Sequence, residues 1–293
     1  MTVRQQAYSS QHDYERLHEF VESNTPLFVL TGAGCSTDSG IPDYRDHNGR
    51  WKNRKPVLFS EFICNESVRK RYWARSMAGW PRIYHASPNQ AHVSLAEMES
   101  SGAIHYLVTQ NVDGLHQKAG SRRVLDLHGN LANVICVDCH KSIPRIDLQE
   151  IFRQSNPGRD NVYHSAAPDG DVILNDIDYD SFNIPVCDSC GGILKPDVVF
   201  FGETVPKERV NQALSRLKES NGLCVIGSSL MVYSGFRFVR EAVNTEIPVA
   251  VINIGKTRAD LLLALKFQSP CGPLLRDLAR LMNSGSINKA LIE

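Results

Sequence analysis

A chain of 293 residues with 42% hydrophobic content can bury one large core and a smaller second one. Its 32 basic and 32 acidic residues cancel, which excludes a general electrostatic attraction to nucleic acid or to an anionic membrane surface. No apolar run reaches the length of a membrane span, and the opening MTVRQQAYSSQH reads as neither a secretory signal nor a transit peptide.

Tyr14, Leu17, Phe20 and Val21 recur at helical spacing and predict an amphipathic helix over 11–25. Phe28, Val29 and Leu30 then read as a short buried strand that empties into Gly32 and Gly34. Those glycines would let the backbone turn tightly and approach a ligand, and Ser36, Thr37 and Asp38 are placed to cap a following helix facing an anion. The dinucleotide fingerprint is only partial, because Thr37 stands where a third glycine belongs. A hydride-transfer enzyme would next show a second strand ending in an acid; here the polar stretch GIPDYRDHNGRWKN follows instead.

Residues 57–80 have a helical pattern that includes RKRYWAR, and the junctions at Pro81 and Pro88 are expected to end it. A helix is predicted over 90–101. Strands follow at 104–108, spilling into Thr109, Gln110, Asn111 and Asp113; at 223–226, spilling into Gly227, Ser228 and Ser229; and at 249–252, ending in Asn253. Four such runs separated by helical stretches describe an α/β fold with a doubly wound parallel, Rossmann-like sheet, whose ligands sit beyond the strand carboxyl ends. The sheet domain is assigned 14–46, 87–131 and 195–280. A smaller domain, a helical module plus a metal module, takes 47–86 and 132–194, and 1–13 and 281–293 are terminal segments.

Eight cysteines without a secretory signal suit a reducing compartment, where CxxC pairs bind metal more often than they form disulfides. Cys136, Cys139, Cys187 and Cys190 supply four thiolates, the donor set of a closed, structural Zn2+ site with no position left for water or substrate. Redox chemistry is the competing reading, and His140 is an alternative ligand. Between the pairs lie 47 residues, with five aspartates from Asp169 to Asp180. This is either a solvated acidic loop or one folded over the substrate entrance. His128, just before the metal module, falls at the seam between the domains, where a packing role competes with that of a general base.

The motifs GAGCSTDSGIPDYR, TQNVDGLH (109–116), LHGN (127–130), the two CxxC pairs, KPDVVFFGE (195–203), GSSL (227–230) and VIN (251–253) together resemble the sirtuins, NAD-dependent protein deacylases, in family order. The resemblance implies NAD as co-substrate and acylated lysine side chains of proteins as substrate. The acyl carbonyl oxygen attacks the nicotinamide ribose, nicotinamide leaves, and His128 is the general base, with Asn111 also placed in the chemistry. It further implies that Gly32, Ala33, Gly34 and Thr37 hold the pyrophosphate, Arg45 covers it, and Ile41, Pro42, Asp43, Asn111 and Asp113 hold the nicotinamide. Gln110 and Asn111 would contact the ribose, and Ser228, Ser229, Asn253 and Cys271 would frame the adenosine. Tyr44, Val112, Gly227, Ile254 and Gly255 join that cofactor set by motif. Val199, Phe200, Phe201, Gly202 and Val232 belong to two loops that clamp an extended peptide.

Two departures from the family pattern are Cys35 for a common isoleucine and Ser234 for a common proline, and they imply a differently shaped clamp. A long loop between the cysteine pairs is similar to that of the sirtuin-4 branch, which implies a mitochondrial-matrix setting. Tyr72 and Arg75, three apart on one helical face, resemble the pair with which the desuccinylating branch binds a carboxylate; Arg69, Lys70 and Arg71 make a basic surface helix the bland alternative. The expectation is deacylation of longer acyl groups, glutaryl-type or lipoyl, over acetyl. Mono-ADP-ribosyl transfer and NAD sensing with little turnover stay open as alternatives.

Overall fold

The computed structural model describes all residues except 1, 53–55, 160–164, 167–168, 171, 175–177 and 291–293. Helix α1 (Thr2–Asn24) leads into β1 (Leu27–Thr31), followed by two single 3-10 turns, Ala33–Cys35 and Thr37–Ser39. Then come α2 (Phe59–Cys64), α3 (Glu66–His85), α4 (Gln90–Ser100), β2 (Ile104–Thr109), α5 (Leu115–Lys118), β3 (Val124–Asp126), β4 (Gly129–Cys136), β5 (Ser142–Pro144) and α6 (Arg145–Ser155). The chain continues through β6 (Ser165–Ala166), β7 (Val172–Ile173), β8 (Leu194–Val198), α7 (Lys207–Lys218), β9 (Gly222–Ile226), α8 (Tyr233–Asn244), β10 (Val249–Ile252), β11 (Leu265–Phe267) and α9 (Cys271–Ala290).

Six strands form a parallel sheet in the order β11-β10-β9-β1-β2-β3. All five residues of β1 are buried, because helices cover both faces and a parallel strand then needs no polar side. Leu27 and Val29 pack with α1, α4 and α9 residues such as Leu17, Leu95 and Leu278. Phe28 and Leu30 point the other way, towards Leu217 of α7 and Phe238 of α8. The register pairs Thr31 with Thr109 on one side and with Ile226 on the other. Three strands therefore end level, and their loops, starting at Gly32, Gln110 and Gly227, converge on one point.

The second body joins the antiparallel sheet β5-β4-β8 and the hairpin β6-β7 to α2, α3 and α6. Its core gathers Phe62, Trp73, Trp80, Leu148, Phe152 and Phe182. Pro81 does not end α3, which runs on to His85. Proline removes the N–H that would bond the Met77 carbonyl, and Gln149 of α6 supplies the missing donor at 2.8 Å. Among the described residues no helix is long and apolar enough to cross a membrane.

Part of the acidic loop packs down on α3: a Cβ on Gly79 would meet the Gly170 carbonyl oxygen at 2.2 Å, so only glycine permits this approach. Of the five aspartates, Asp171 and Asp176 lie outside the described residues.

Candidate active site

At the carboxyl ends of β1, β2 and β9 lies a cleft of about 800 Å³, lined by both bodies. Gly32 and Gly34 serve close backbone packing: a Cβ at Gly32 would stand 2.7 Å from Ser228 Cβ, and one at Gly34 would stand 2.9 Å from the Gly227 carbonyl oxygen. Gly227 itself adopts φ +61, and a Cβ there would meet the Cys35 nitrogen at 2.3 Å. The glycines thus let two strand-end loops interlock. No α-helix follows them. The expected capped helix is replaced by the two 3-10 turns, and the Ser36 hydroxyl makes no cap. It donates instead to Asp113 Oδ2 at 2.7 Å and accepts from Asn111 Nδ2 at 3.0 Å.

That serine ties the first loop to the second. Asn111 Nδ2 also reaches the Gly32 carbonyl at 3.1 Å, and the Leu115 N–H donates to Asp113 Oδ1 at 2.9 Å. Burial pushes the Asp113 carboxyl above its ordinary range, against the lowering pull of the Leu115 and Ser36 hydrogen bonds. Gln110 joins the second loop to the third by donating to Ser228 Oγ at 2.7 Å. The amide nitrogens of Gln110 and Asn111 are therefore engaged within the protein. Gly235 makes room for Gln110, whose Oε1 would lie 2.4 Å from a Cβ there.

Two buried histidines support this floor. His92 takes the Asn89 N–H on Nδ1, and His116 Nε2 lies 2.9 Å from the Thr31 hydroxyl. Burial lowers His92 to about 4 and His116 well below its ordinary value, so both stay neutral.

His128 leads into β4 at the seam, with Nδ1 2.9 Å from the Gln110 carbonyl oxygen and Nε2 2.8 Å from Ser234 Oγ. A carbonyl only accepts, so the proton sits on Nδ1 and Nε2 carries the basic lone pair. Burial lowers its pKa, and the charges of Arg209 and Arg237 act in the same direction. The side chain is thus a neutral base at neutral pH, aimed into the cleft.

Of the residues singled out for cofactor, Gly32, Ala33, Gly34, Thr37, Ile41, Asp43, Tyr44, Arg45, Gln110, Asn111, Val112, Asp113, Gly227, Ser228, Ser229, Asn253, Ile254, Gly255 and Cys271 all line the cleft; Pro42 does not. Arg45 is held by the Gly49 carbonyl at 2.7 Å and stacks 4.1 Å from the Trp51 ring centroid. Val199, Phe200, Phe201, Gly202 and Val232 also line it. Lys195 braces that loop, pairing with Glu203 at 3.1 Å while Glu203 accepts the Phe200 N–H at 2.8 Å.

Tyr72 and Arg75 are not brought together in the cleft. Tyr72 lines it, its ring 5.3 Å from that of Phe200, whereas the Arg75 Nε donates to the Val172 carbonyl of β7. Residue reading passed over Trp51 and Arg237, which also line the cleft: Trp51 stands in a polar loop without a period, and Arg237 is one cation on the amphipathic helix α8, whose pattern signals packing and not a site.

The four cysteines meet away from the cleft, with Cys136 Sγ 3.5 Å from Cys190 Sγ and Cys139 Sγ 3.6 Å from Cys187 Sγ. Thiolates bound about 2.3 Å from one zinc ion stand about 3.8 Å apart, so the cluster suits zinc. All four ligand atoms lie within 4.8 Å of one another.

A parallel dinucleotide-type sheet, a cleft at its switch point and a four-cysteine module define a class of NAD-using enzymes with a structural metal. The Sir2 family profile matches residues 32–234, and this chain belongs to that family. It is 52% identical over 264 residues to an NAD-dependent protein deacetylase of Xanthomonas axonopodis pv. citri (strain 306), covering 90% of each chain. It is 48% identical over 264 residues to the NAD-dependent protein lipoamidase sirtuin-4, mitochondrial, of Bos taurus, covering 89% of this chain and 84% of that one. A solved structure of Sir2 with a p53 peptide and NAD+ superposes with a TM-score of 0.73 at 30% identity, covering 93% of this chain and 98% of the other.

Proposed function

We propose that the protein is an NAD-dependent protein lysine deacylase acting on longer acyl groups, lipoyl and glutaryl-type, in preference to acetyl. The observation that carries the deacylase reading is the imidazole of His128, its proton fixed on Nδ1 by the Gln110 carbonyl and its Nε2 turned into a cleft bounded by the three interlocked loops. Bound NAD supplies a glycosidic bond to nicotinamide whose cleavage leaves ADP-ribose as acyl acceptor. The loops at Gly32, Gln110 and Gly227 form the cradle that would hold it, with Arg45 and Trp51 as its cover.

His128 Nε2 takes a proton from the accepting hydroxyl, and the Gln110 carbonyl steadies the imidazolium through Nδ1–H. Asn111 and Asp113, locked by Ser36, shape the nicotinamide end of the cleft. The Phe200–Glu203 loop and the Val232–Gly235 segment wall the side where an acyl-lysine would enter. Preference for longer chains is supported by the bovine relative's lipoamidase name, while the Xanthomonas relative is named a deacetylase. A mitochondrial setting is supported by the name of the bovine relative, whereas the Xanthomonas relative is bacterial.

The test is to incubate the enzyme with NAD and one peptide bearing acetyl-, glutaryl- or lipoyl-lysine, quantifying nicotinamide, free lysine peptide and O-acyl-ADP-ribose. Equal amounts of all three, largest for the longer chains, are expected. NAD cleavage with label retained on protein and no acyl loss would replace deacylation by ADP-ribosyl transfer. Peptide-independent binding of NAD without turnover would make the protein a sensor.

A further inference from the structure

Among the described residues, three lysine or arginine side chains line the cleft: Arg45, Lys52 and Arg237. Arg45 is committed to the Gly49 carbonyl and the Trp51 ring, and Lys52 to the Asp43 carboxylate. Arg237 is different. It has no carboxylate or carbonyl partner among the described residues, its Nε is buried without a hydrogen bond, and its one ring contact is Tyr233, 5.4 Å from Cζ. A buried guanidinium N–H left without an acceptor costs stability unless something outside the chain completes it.

Placement narrows what that is. Arg237 sits one helical turn after Ser234 on α8, and residues three apart share a face. Ser234 Oγ touches Nε2 of His128, so Arg237 belongs to the wall beside the general base. The anion cradle of the three glycine loops lies at the strand ends, on other segments. The carboxylates that line this side do not serve Arg237: Glu203 is held by Lys195 and the Phe200 N–H, and Asp113 by Ser36 and the Leu115 N–H. Arg209, the other cation near His128, already pairs with Asp197 at 3.6 Å.

We infer that Arg237 is a subsite for a carboxylate of the substrate, completed by a charge-assisted, two-pronged hydrogen bond when acyl-lysine is bound. The carboxylate comes either from the far end of the acyl chain or from an acidic side chain flanking the lysine. The inference rests on the deacylase reading above and moves the recognition of a charged acyl group from Arg75, bound to Val172, to α8.

The experiment compares wild type, Arg237→Met and Arg237→Lys on four peptides: glutaryl-lysine and its uncharged terminal-amide isostere, each with alanine or with glutamate flanks. Readouts are kcat/KM with NAD and peptide affinity by calorimetry at two salt concentrations. Wild type is expected to favour a carboxylated peptide over its neutral counterpart by about tenfold or more, the scale of a charge-assisted hydrogen bond. In Arg237→Met that ratio should collapse towards one, and Arg237→Lys should keep part of it. Selectivity between the acyl isosteres identifies the acyl carboxylate, and selectivity between the flanks identifies the peptide. A ratio unchanged in Arg237→Met, or absent in wild type in both comparisons, overturns the subsite. If no peptide is turned over, the deacylase reading fails, and the affinity ratios alone decide on the subsite.

Discussion

His128 Nε2 and Ser234 Oγ lie 2.8 Å apart, so the basic nitrogen of the candidate active site is already hydrogen-bonded to a hydroxyl from α8. Because Nδ1–H serves the Gln110 carbonyl, Nε2 must accept and Ser234 must donate. A donor on that lone pair stabilises the neutral imidazole and opposes its protonation.

Ser234→Ala should therefore raise the acid limb of the pH profile of kcat/KM, by up to about one pH unit for a hydrogen bond of ordinary strength. Burial and the charges of Arg209 and Arg237 remain to hold the limb below that of a free histidine. A profile unmoved by the substitution would show that the hydroxyl does not tune the base.

The zinc module yields a second expectation. Elemental analysis should find one zinc per chain, and Cys187→Ala should abolish binding and unfold the small body, since Cys187 is buried with Cys136 in its core. Soluble, active protein without zinc would contradict it.

A third concerns acid stability. His92 and His116 are almost fully buried and held neutral, His92 at about 4 and His116 well below its ordinary value. Between an unfolded value of about 6.5 and those folded values, the unfolded chain binds more protons, so stability falls as pH drops through this window. For His92 alone the loss is on the order of 3 kcal/mol. Urea unfolding from pH 7 to 4 should show the decline, and His92→Gln should flatten it. A flat wild-type curve would contradict this.

The fourth tests the repair of the proline in α3. Gln149→Leu should leave the Met77 carbonyl buried without its donor and cost about 1–3 kcal/mol in denaturant unfolding. No loss would mean that the helix closes this gap another way.

These positions also show how far residue order alone reaches. The four central strands announce themselves because strands covered on both faces are continuous apolar runs. The edge strands β3 and β11, three residues each, are too short to leave a period. The cysteine cluster is legible because its ligands come as spaced pairs, and the loop motifs because they cluster in sequence.

The Gln149–Met77 repair is not legible, since it joins residues 72 apart whose meeting depends on packing. The helix expected after Cys35 is replaced because Ser36 finds a better use for its hydroxyl in binding Asn111 and Asp113, partners supplied by the loop after β2. Arg75 illustrates the same limit: helical spacing placed it beside Tyr72, but its Nε donates to the Val172 carbonyl of β7, a partner 97 residues away.

The most direct measurement is single-turnover deacylation by wild type and His128→Ala, with NAD affinity measured in parallel. The account predicts that the variant binds NAD as wild type does, because the glycine loops are untouched, while acyl transfer falls by at least about 10²-fold, the lower end for a lost general base. Unchanged acyl transfer in His128→Ala would remove this histidine from the chemistry and contradict the assignment of the cleft.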